Sequence, residues 1–504
     1  AGAFGGFVGL VCYFIFHWYY NLGLKKEELD QNSVFLDPAK SRWTIVKRMS
    51  DGFIILIVVV STFFIKSLNT NSTFPELQLN ESAVSSEVEP INKPFSEEEL
   101  SSLIQNTNFS TKNTKLNKAQ ITKEQEVYGF YVNWDENSKA SFRKNKDSIT
   151  TLVPEWLQIT PDLTLKSDTD HSMIREVKKH NIKILPLVNN FINNKWDDKV
   201  LHRLFTTPGA EERFIKEMLE YVKKNGFDGI NIDFENIDPK DKDHFTQFMD
   251  KVYKAFHPHG LMVTLDVPPN DSSYDYASLA KSADRVIVML YDQHYSMSES
   301  GPVAQTDWVK ENLNQPDIPS EKMIAGLGTY GYDWEENSSK PATEMTFESI
   351  MKLGREMDLK INWSKEAGNP YLRYKRNGKE HTVWFLDAAT LYNQMNLASS
   401  SGAKGIALWR LGSEDPSIWN YLNKPNEILN PQKAISTFDI PNPDLHTGEG
   451  DVLKVTSKPQ EGKRTIQLDS NGMIQAETYV QFPQSIEVTR YGKSDKQEVV
   501  LSFD

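Results

Sequence analysis

The 504-residue chain carries 39% hydrophobic and 25% charged side chains, enough apolar matter for a large core in more than one domain and too much for a disordered polypeptide. Its 56 basic and 69 acidic residues leave a net charge of −13, which argues against a nucleic-acid-binding surface. With a single cysteine, Cys12, no intrachain disulfide and no thiolate metal site can form, and nothing else in the sequence calls for a metal or a cofactor.

In chain order, the first apolar stretch is AGAFGGFVGLVCYFIFHWYY; residues 1–22 are a candidate transmembrane segment whose competitor is a leader. The chain opens on Ala1 rather than methionine, so its native start is expected upstream. FIILIVVVSTFFI at 53–65 is uncharged and β-branched, and extended over 49–66 it reaches the length of a transmembrane helix. Lys47 and Arg48 precede it, while an acidic, serine-rich segment follows. The positive-inside rule therefore predicts a cell-membrane protein of one or two passes, with everything after residue 66 extracytoplasmic. Residues 67–120, poor in large apolar side chains, read as a solvated linker.

From 121 to 425 short apolar runs alternate with amphipathic segments, the pattern of parallel strands joined by helices. The runs are 127–134, 152–159, 182–191, 228–235, 261–267, 285–292, 323–334 and 403–412, and eight of them predict a (β/α)8 TIM barrel. Between them AEERFIKEMLEYVKKNG (210–226) places Phe214, Met218, Leu219 and Val222 at helical spacing and stops at Gly226. The interval before strand eight is long and holds a hairpin signal at Asn377-Gly378, so an α+β insertion is predicted at about 335–392, between strands 7 and 8. Residues 430–504 show alternation and turns without a helix and read as a small β-rich region.

Strand four, DGINIDFE, carries the chemistry. Alternation sends Ile230, Ile232 and Phe234 to one face and Asn231, Asp233 and Glu235 to the other. In a barrel the polar set lines the interior, and Glu235 falls at the C-terminal end, where barrel enzymes build their sites. Asp228 reads as a structural residue at the strand's entry, and the run DPKDKDHF (238–245) as the first turn of a helix rather than a metal loop.

These residues resemble glycoside hydrolase family 18, whose barrels carry Asp-Gly-x-Asp-x-Asp-x-Glu on strand four. Here the motif is Asp228-Gly229-Ile230-Asn231-Ile232-Asp233-Phe234-Glu235, with the middle aspartate replaced by Asn231, a form similar to the spore-cortex and cell-wall branch. MLYDQH at 289–294 matches the family's Met-x-Tyr-Asp, and Trp409 falls where the family keeps a tryptophan under the scissile sugar. The resemblance implies substrate-assisted, retaining hydrolysis of β-1,4-linked N-acetylglucosamine glycans, in peptidoglycan or a chitin-like polymer. It implies Glu235 as general acid, Asp233 as the carboxylate holding the acetamido N–H, and Tyr291 as a donor to the acetamido carbonyl. Asn231, Met289, Asp292 and Trp409 are the implied substrate contacts, with Tyr131 expected to stack on sugar from strand one, where Trp134 also stands. His294 is read either as a contact or as a hydrogen-bonded neighbour of one. Two other readings stay open: a lectin-like barrel that binds such glycans without cutting them in the service of a downstream deacetylase or glycosyltransferase, and a structural spacer.

The chain ends on Ser502-Phe503-Asp504, which resembles the first strand of a NodB-type polysaccharide deacetylase, where Thr-Phe-Asp-Asp-Gly-Pro follows. The resemblance implies a covalent continuation into a deacetylase domain; the competing reading is a final edge strand.

Overall fold

The computed structural model describes residues 88–91, 93–104, 125–314, 317–423, 431–440, 460–480, 485–491 and 496–502. The apolar stretches at 1–22 and 49–66, most of 67–120 and the terminal Phe503-Asp504 lie outside the described residues. Among the described residues no helix is long and apolar enough to cross a membrane.

Eight parallel strands form the centre: β1 (Glu126–Tyr131), β2 (Thr151–Ile159), β3 (Leu187–Asn189), β4 (Gly229–Asp233), β5 (Met262–Val267), β6 (Arg285–Met289), β7 (Met323–Gly328) and β8 (Gly405–Trp409). Each pairs with the next, and β8 pairs with β1, which closes the barrel. Helices cover the outside. Ala210–Asn225 buries Phe214, Met218 and Val222 and ends on Gly226 at φ 61°, the left-handed cap that glycine adopts without steric cost.

Side-chain alternation divides the core in two. Ile230, Ile232, Phe234, Val263, Leu265, Val286 and Val288 face outward and are buried under the helices, each contributing about 1.5–3 kcal/mol of apolar burial. Tyr128, Phe130, Val153, Leu187, Ile287, Ile324 and Ala407 fill the interior, with Trp409 partly buried against them. The barrel is therefore plugged below the level of strand four's acids. The run 182–191, continuous in its apolar pattern, breaks into Lys183–Ile184 and Leu187–Asn189, because Pro186 between them has no N–H for the ladder.

The insertion begins earlier than the sequence suggests. The 323–334 run divides at Thr329, whose N–H and hydroxyl turn to the carbonyls of Trp409 and Arg410, and Tyr330–Glu335 leaves the barrel to start a second, antiparallel sheet. That sheet holds the hairpin Asn369–Arg376/Lys379–Phe385, with Asn377 and Gly378 both at positive φ as a type I′ turn requires. Val88–Pro90 adds its edge strand, antiparallel to Asn369–Arg376, so part of the segment read as a linker is built into the folded unit. The helix Ala388–Ser400 returns to the barrel layer.

After the barrel, Thr437–Ile440, Gln460–Leu468 and Ile474–Val480 form a three-stranded antiparallel sheet, and Ser485–Tyr491 pairs with Lys496–Ser502. The three-stranded sheet docks on Ala388–Ser400: the Asn393 side chain donates to the Ile474 carbonyl at 2.8 Å and accepts from its N–H at 2.8 Å.

Candidate active site

Strand four is held from both sides. Gly229 is forced, since a Cβ there would lie 2.1 Å from the Met262 carbonyl oxygen of β5. Asp228 accepts the Ile184 N–H at 2.8 Å, a structural part at the strand's entry. Beyond the last strand residue the backbone of Glu235 is clamped by Asn190, fully buried, which accepts its N–H at 2.9 Å and donates to its carbonyl at 3.0 Å. The Tyr274 hydroxyl donates to the Phe234 carbonyl at 2.8 Å, and Asn236 turns the chain at φ 57°. Glu235 is thereby fixed at the rim with part of its surface open, while Asp233 lies buried beneath it.

The two carboxyls are electrostatically one system. Burial, then the charges of Asp233, Asp292 and Asp266, and then a hydrogen bond to Asp233 hold the Glu235 carboxyl well above its ordinary range. Asp233 is pushed up to about 8 by burial and the charge of Glu155, an effect opposed by its hydrogen bond with Glu235. Both acids therefore hold their protons more tightly than free carboxyls do, with the hydrogen bond adding to the effect of burial on Glu235 and opposing it on Asp233, which is the environment of a general acid that stays protonated at neutral pH.

From β6 the same interior face runs through Ile287, Met289 and Tyr291. Met289 is buried, and the Tyr291 hydroxyl is raised by burial and then by Asp266, Glu235 and Asp233, which places it among the acids. Asp292, at φ 60°, stands at the open mouth yet is surrounded by enough protein to be pushed up to about 6, against hydrogen bonds from Tyr330 at 2.5 Å and Tyr332 at 3.1 Å. Trp409 closes the floor, its ring edge-on to Phe130 at 5.2 Å, and the Trp409–Arg410 peptide is cis.

One expected contact, Tyr131, lies elsewhere, and His294, read either as a contact or as a hydrogen-bonded neighbour, bonds within its own loop. Tyr131, the last residue of β1, follows Phe130 and so points to the opposite, helix side; it is buried there and donates to Asp170 at 2.9 Å. His294 packs within its own loop, its ring against Gly301 and its Nδ1 3.2 Å from the Glu299 carbonyl. Trp134, in contrast, is exposed beside a cleft of about 280 Å³ lined also by Asn133, Glu155, Trp156, Asp168 and Asn189. Phe191, Tyr295 and Met297 are likewise exposed, in the segments that follow β3 and β6.

Sequence reasoning passed over Asn190, Glu155, Thr264 and Asp266. Glu155 accepts from Trp134 at 3.1 Å and Asn189 at 3.0 Å and is raised by burial. Asp266, in MVTLDV, accepts from Asn231 at 2.6 Å. For Glu155 and Asp266 the available signal was a charged residue inside an apolar run; Asn190 and Thr264 carry no charge to mark them. Among the described residues no group of three or more His, Cys, Asp and Glu side chains is arranged to hold a metal ion.

Comparison with known proteins agrees with this geometry. The family Glycosyl hydrolases family 18 matches residues 126–415. The Uncharacterized glycosylase YvbX of Bacillus subtilis is 27% identical over 308 residues, covering 58% of this chain and 90% of its own. The cortical fragment-lytic enzyme of the same organism is 25% identical over 313 residues, covering 58% and 72%. The crystal structure of the Bacillus cereus spore cortex-lytic enzyme SleL aligns with a TM-score of 0.56 at 23% identity, over 66% of this chain and 82% of that one, a likeness of fold.

Proposed function

The chain belongs to family 18 of the glycosyl hydrolases and is a glycoside hydrolase, and from that premise we propose that it cleaves β-1,4-linked N-acetylglucosamine glycans of the cell envelope by a substrate-assisted, retaining reaction. The observation that carries the reading is the position of Glu235 at the open end of the barrel above buried Asp233, where burial and the neighbouring acids hold its carboxyl well above its ordinary range. In the first step the acetamido oxygen of the sugar attacks its own anomeric carbon, the glycosidic bond breaks, and Glu235 gives its proton to the leaving oxygen. Asp233 holds the acetamido N–H and offsets the positive charge of the oxazolinium, while the Tyr291 hydroxyl donates to the acetamido oxygen. In the second step water attacks the anomeric carbon from the vacated face, the Glu235 carboxylate takes its proton, and the acetamide re-forms.

Glu235→Gln preserves shape but removes the transferable proton, so turnover should fall by about 10²–10⁴-fold while oligosaccharide binding persists. Purified chain that releases nothing Glu235-dependent from N-acetylglucosamine oligomers or peptidoglycan between pH 4 and 8 would favour the lectin-like alternative. The similarity to a glycosylase and to a cortical fragment-lytic enzyme supports a peptidoglycan-related glycan. The anchor at 49–66, with the barrel outside the cytoplasm, and a deacetylase following the Ser502-Phe503-Asp504 motif are further proposals from sequence. Protease added to intact cells should release the barrel; protection until lysis would refute that orientation.

A further inference from the structure

Asn231 occupies the place where the strand-four pattern elsewhere has an acid, and both polar atoms of its side chain are hydrogen-bonded. The Thr264 hydroxyl donates to its Oδ1 at 2.5 Å, and its Nδ2 donates to Asp266 Oδ2 at 2.6 Å. Thr264 is the register partner of Asn231 across β4 and β5. Asp266 follows Thr264 by two residues as Asp233 follows Asn231, so the acids stand level on adjacent strands and on the same interior face. Asn231, Thr264, Asp233 and Asp266 are all buried. Asp233 Oδ1 and Asp266 Oδ1 are each without a hydrogen-bond partner among the described residues, so neither acid is consumed by packing.

We propose that Asp266 is a positioning carboxyl of the reaction: held by Asn231 from the neighbouring strand, it supplies the third acid that strand four lacks and sets how protons are shared between Asp233 and Glu235. The inference rests on the hydrolase reading of that pair. It explains why an asparagine at 231 suits a chain that carries Asp266 beside it. An aspartate at 231 would set two carboxyls at hydrogen-bond distance with no donor between them, whereas the carboxamide bridges Thr264 and Asp266 in a single orientation. Asp266 touches no sugar; it acts through Asn231 and through its charge.

The groups facing this cluster are mostly acidic or phenolic: Asp233 from β4 and Glu235 just after it, Glu155 from β2, Tyr274 after β5, and Tyr291 and Asp292 after β6. Arg410 is the cation nearest in effect, and it acts on Glu155. Asp266 is itself raised by burial and then by Asp233, and it raises Glu235 in turn. An added or removed carboxyl is therefore felt by the general acid with little compensation.

The test uses the full chain and two readouts. In Asp266→Asn the alkaline limb of the kcat/KM profile should move roughly one pH unit toward acid, since one like charge fewer opposes Glu235's ionisation; KM below that limb should change little. The exchange variant Asn231→Asp/Asp266→Asn returns one acid to the pair and should restore the limb. A residue that merely packs would lower activity equally at every pH, and an unmoved limb in Asp266→Asn, or no recovery in the exchange, overturns the proposal. The second readout needs no turnover: the decline of Tm between pH 5 and 8 should be shallower in Asp266→Asn and restored in the exchange. If unsubstituted chain shows no Glu235-dependent hydrolysis, the hydrolase reading fails and the Tm slopes still decide whether Asp266 shares the protons. Should Asp266→Asn not fold, the exchange variant decides: an unchanged slope and limb support the inference, altered ones refute it.

Discussion

Arg464 should be the most expensive single side chain to remove outside the barrel. It is wholly buried and ion-paired with Asp387 at 3.2 Å, with Glu477 at 3.2 Å and with Asp415, and its guanidinium lies over the Phe438 ring at 4.8 Å and the Tyr479 ring at 5.4 Å. Two of those acids belong to the barrel. Asp387 caps the helix Ala388–Ser400, accepting the Thr390 N–H at 2.9 Å, and Asp415 accepts the Ala388 N–H at 3.1 Å. The arginine comes from the C-terminal sheet, so one cation ties that sheet to the last barrel helix. Arg464→Met leaves three carboxyls facing one another without a counter-charge, a change that costs about 3–5 kcal/mol when a buried pair loses one partner. Burial and the Asp387 charge already hold Glu477 above its ordinary range, so it can take up a proton in the variant, and the lower figure of about 3 kcal/mol applies. At about 2 °C per kcal/mol for a large domain, Tm should fall by roughly 6 °C. The assay is thermal unfolding at pH 7, with Lys216→Ala, one half of an exposed helical pair, as a control expected to change little. A drop under about 2 °C would show that the acids repack and that the network does not hold the sheet in place.

Asn190→Ala removes both hydrogen bonds that clamp the Glu235 backbone and should cost about 1–3 kcal/mol by denaturant titration, with kcat falling more than KM rises; an unchanged kcat would count against the clamp. Asp233, at about 8 in the fold, binds its proton more tightly folded than unfolded, where a value near ~4 is expected. That stabilisation is present below pH ~4 and is lost as pH rises through 8. Asp233→Asn should therefore raise Tm at pH 8 relative to pH 4 while slowing hydrolysis, and a variant that loses stability in parallel at both pH values would refute the linkage.

The barrel was legible because its strands are buried on both faces and its acids break that pattern where a barrel opens. "DGINIDFE" shows alternation and function in the same eight residues, and the Asn377-Gly378 turn announced its hairpin. Tyr131 misled because alternation was not carried through strand one: Phe130 fills the interior, so its neighbour must face the helices. Asp266 and Asn190 were missed because each looks like an ordinary polar interruption of an apolar run, and only the packing between strands reveals what it meets. Arg464 lies in "EGKRTIQLDS", which reads as an exposed alternating strand, since the acids that bury it are far away in sequence.

The insertion is part of the site rather than an ornament on it. Its first strand supplies Tyr330 and Tyr332 to Asp292, Trp334 donates to the Ser298 carbonyl at 3.1 Å, and the Ala342 N–H donates to the Ser296 carbonyl at 2.7 Å. The strand-six loop carrying Asp292 is thus braced from the insertion, whose sheet depends in turn on the residues before the barrel. Val88–Pro90 pairs with Asn369–Arg376, and Phe95 packs on Tyr371 at 5.1 Å and Trp384 at 6.2 Å with Arg373 over its ring at 4.2 Å. A chain shortened to begin at 121 leaves that edge strand unpaired and uncovers those aromatics, a template for edge-to-edge association. It should unfold at lower temperature and self-associate more than one beginning at 86, by light scattering and thermal unfolding. Equal Tm and equal dispersity of the two would mean that residues 86–120 serve the fold only as a tether.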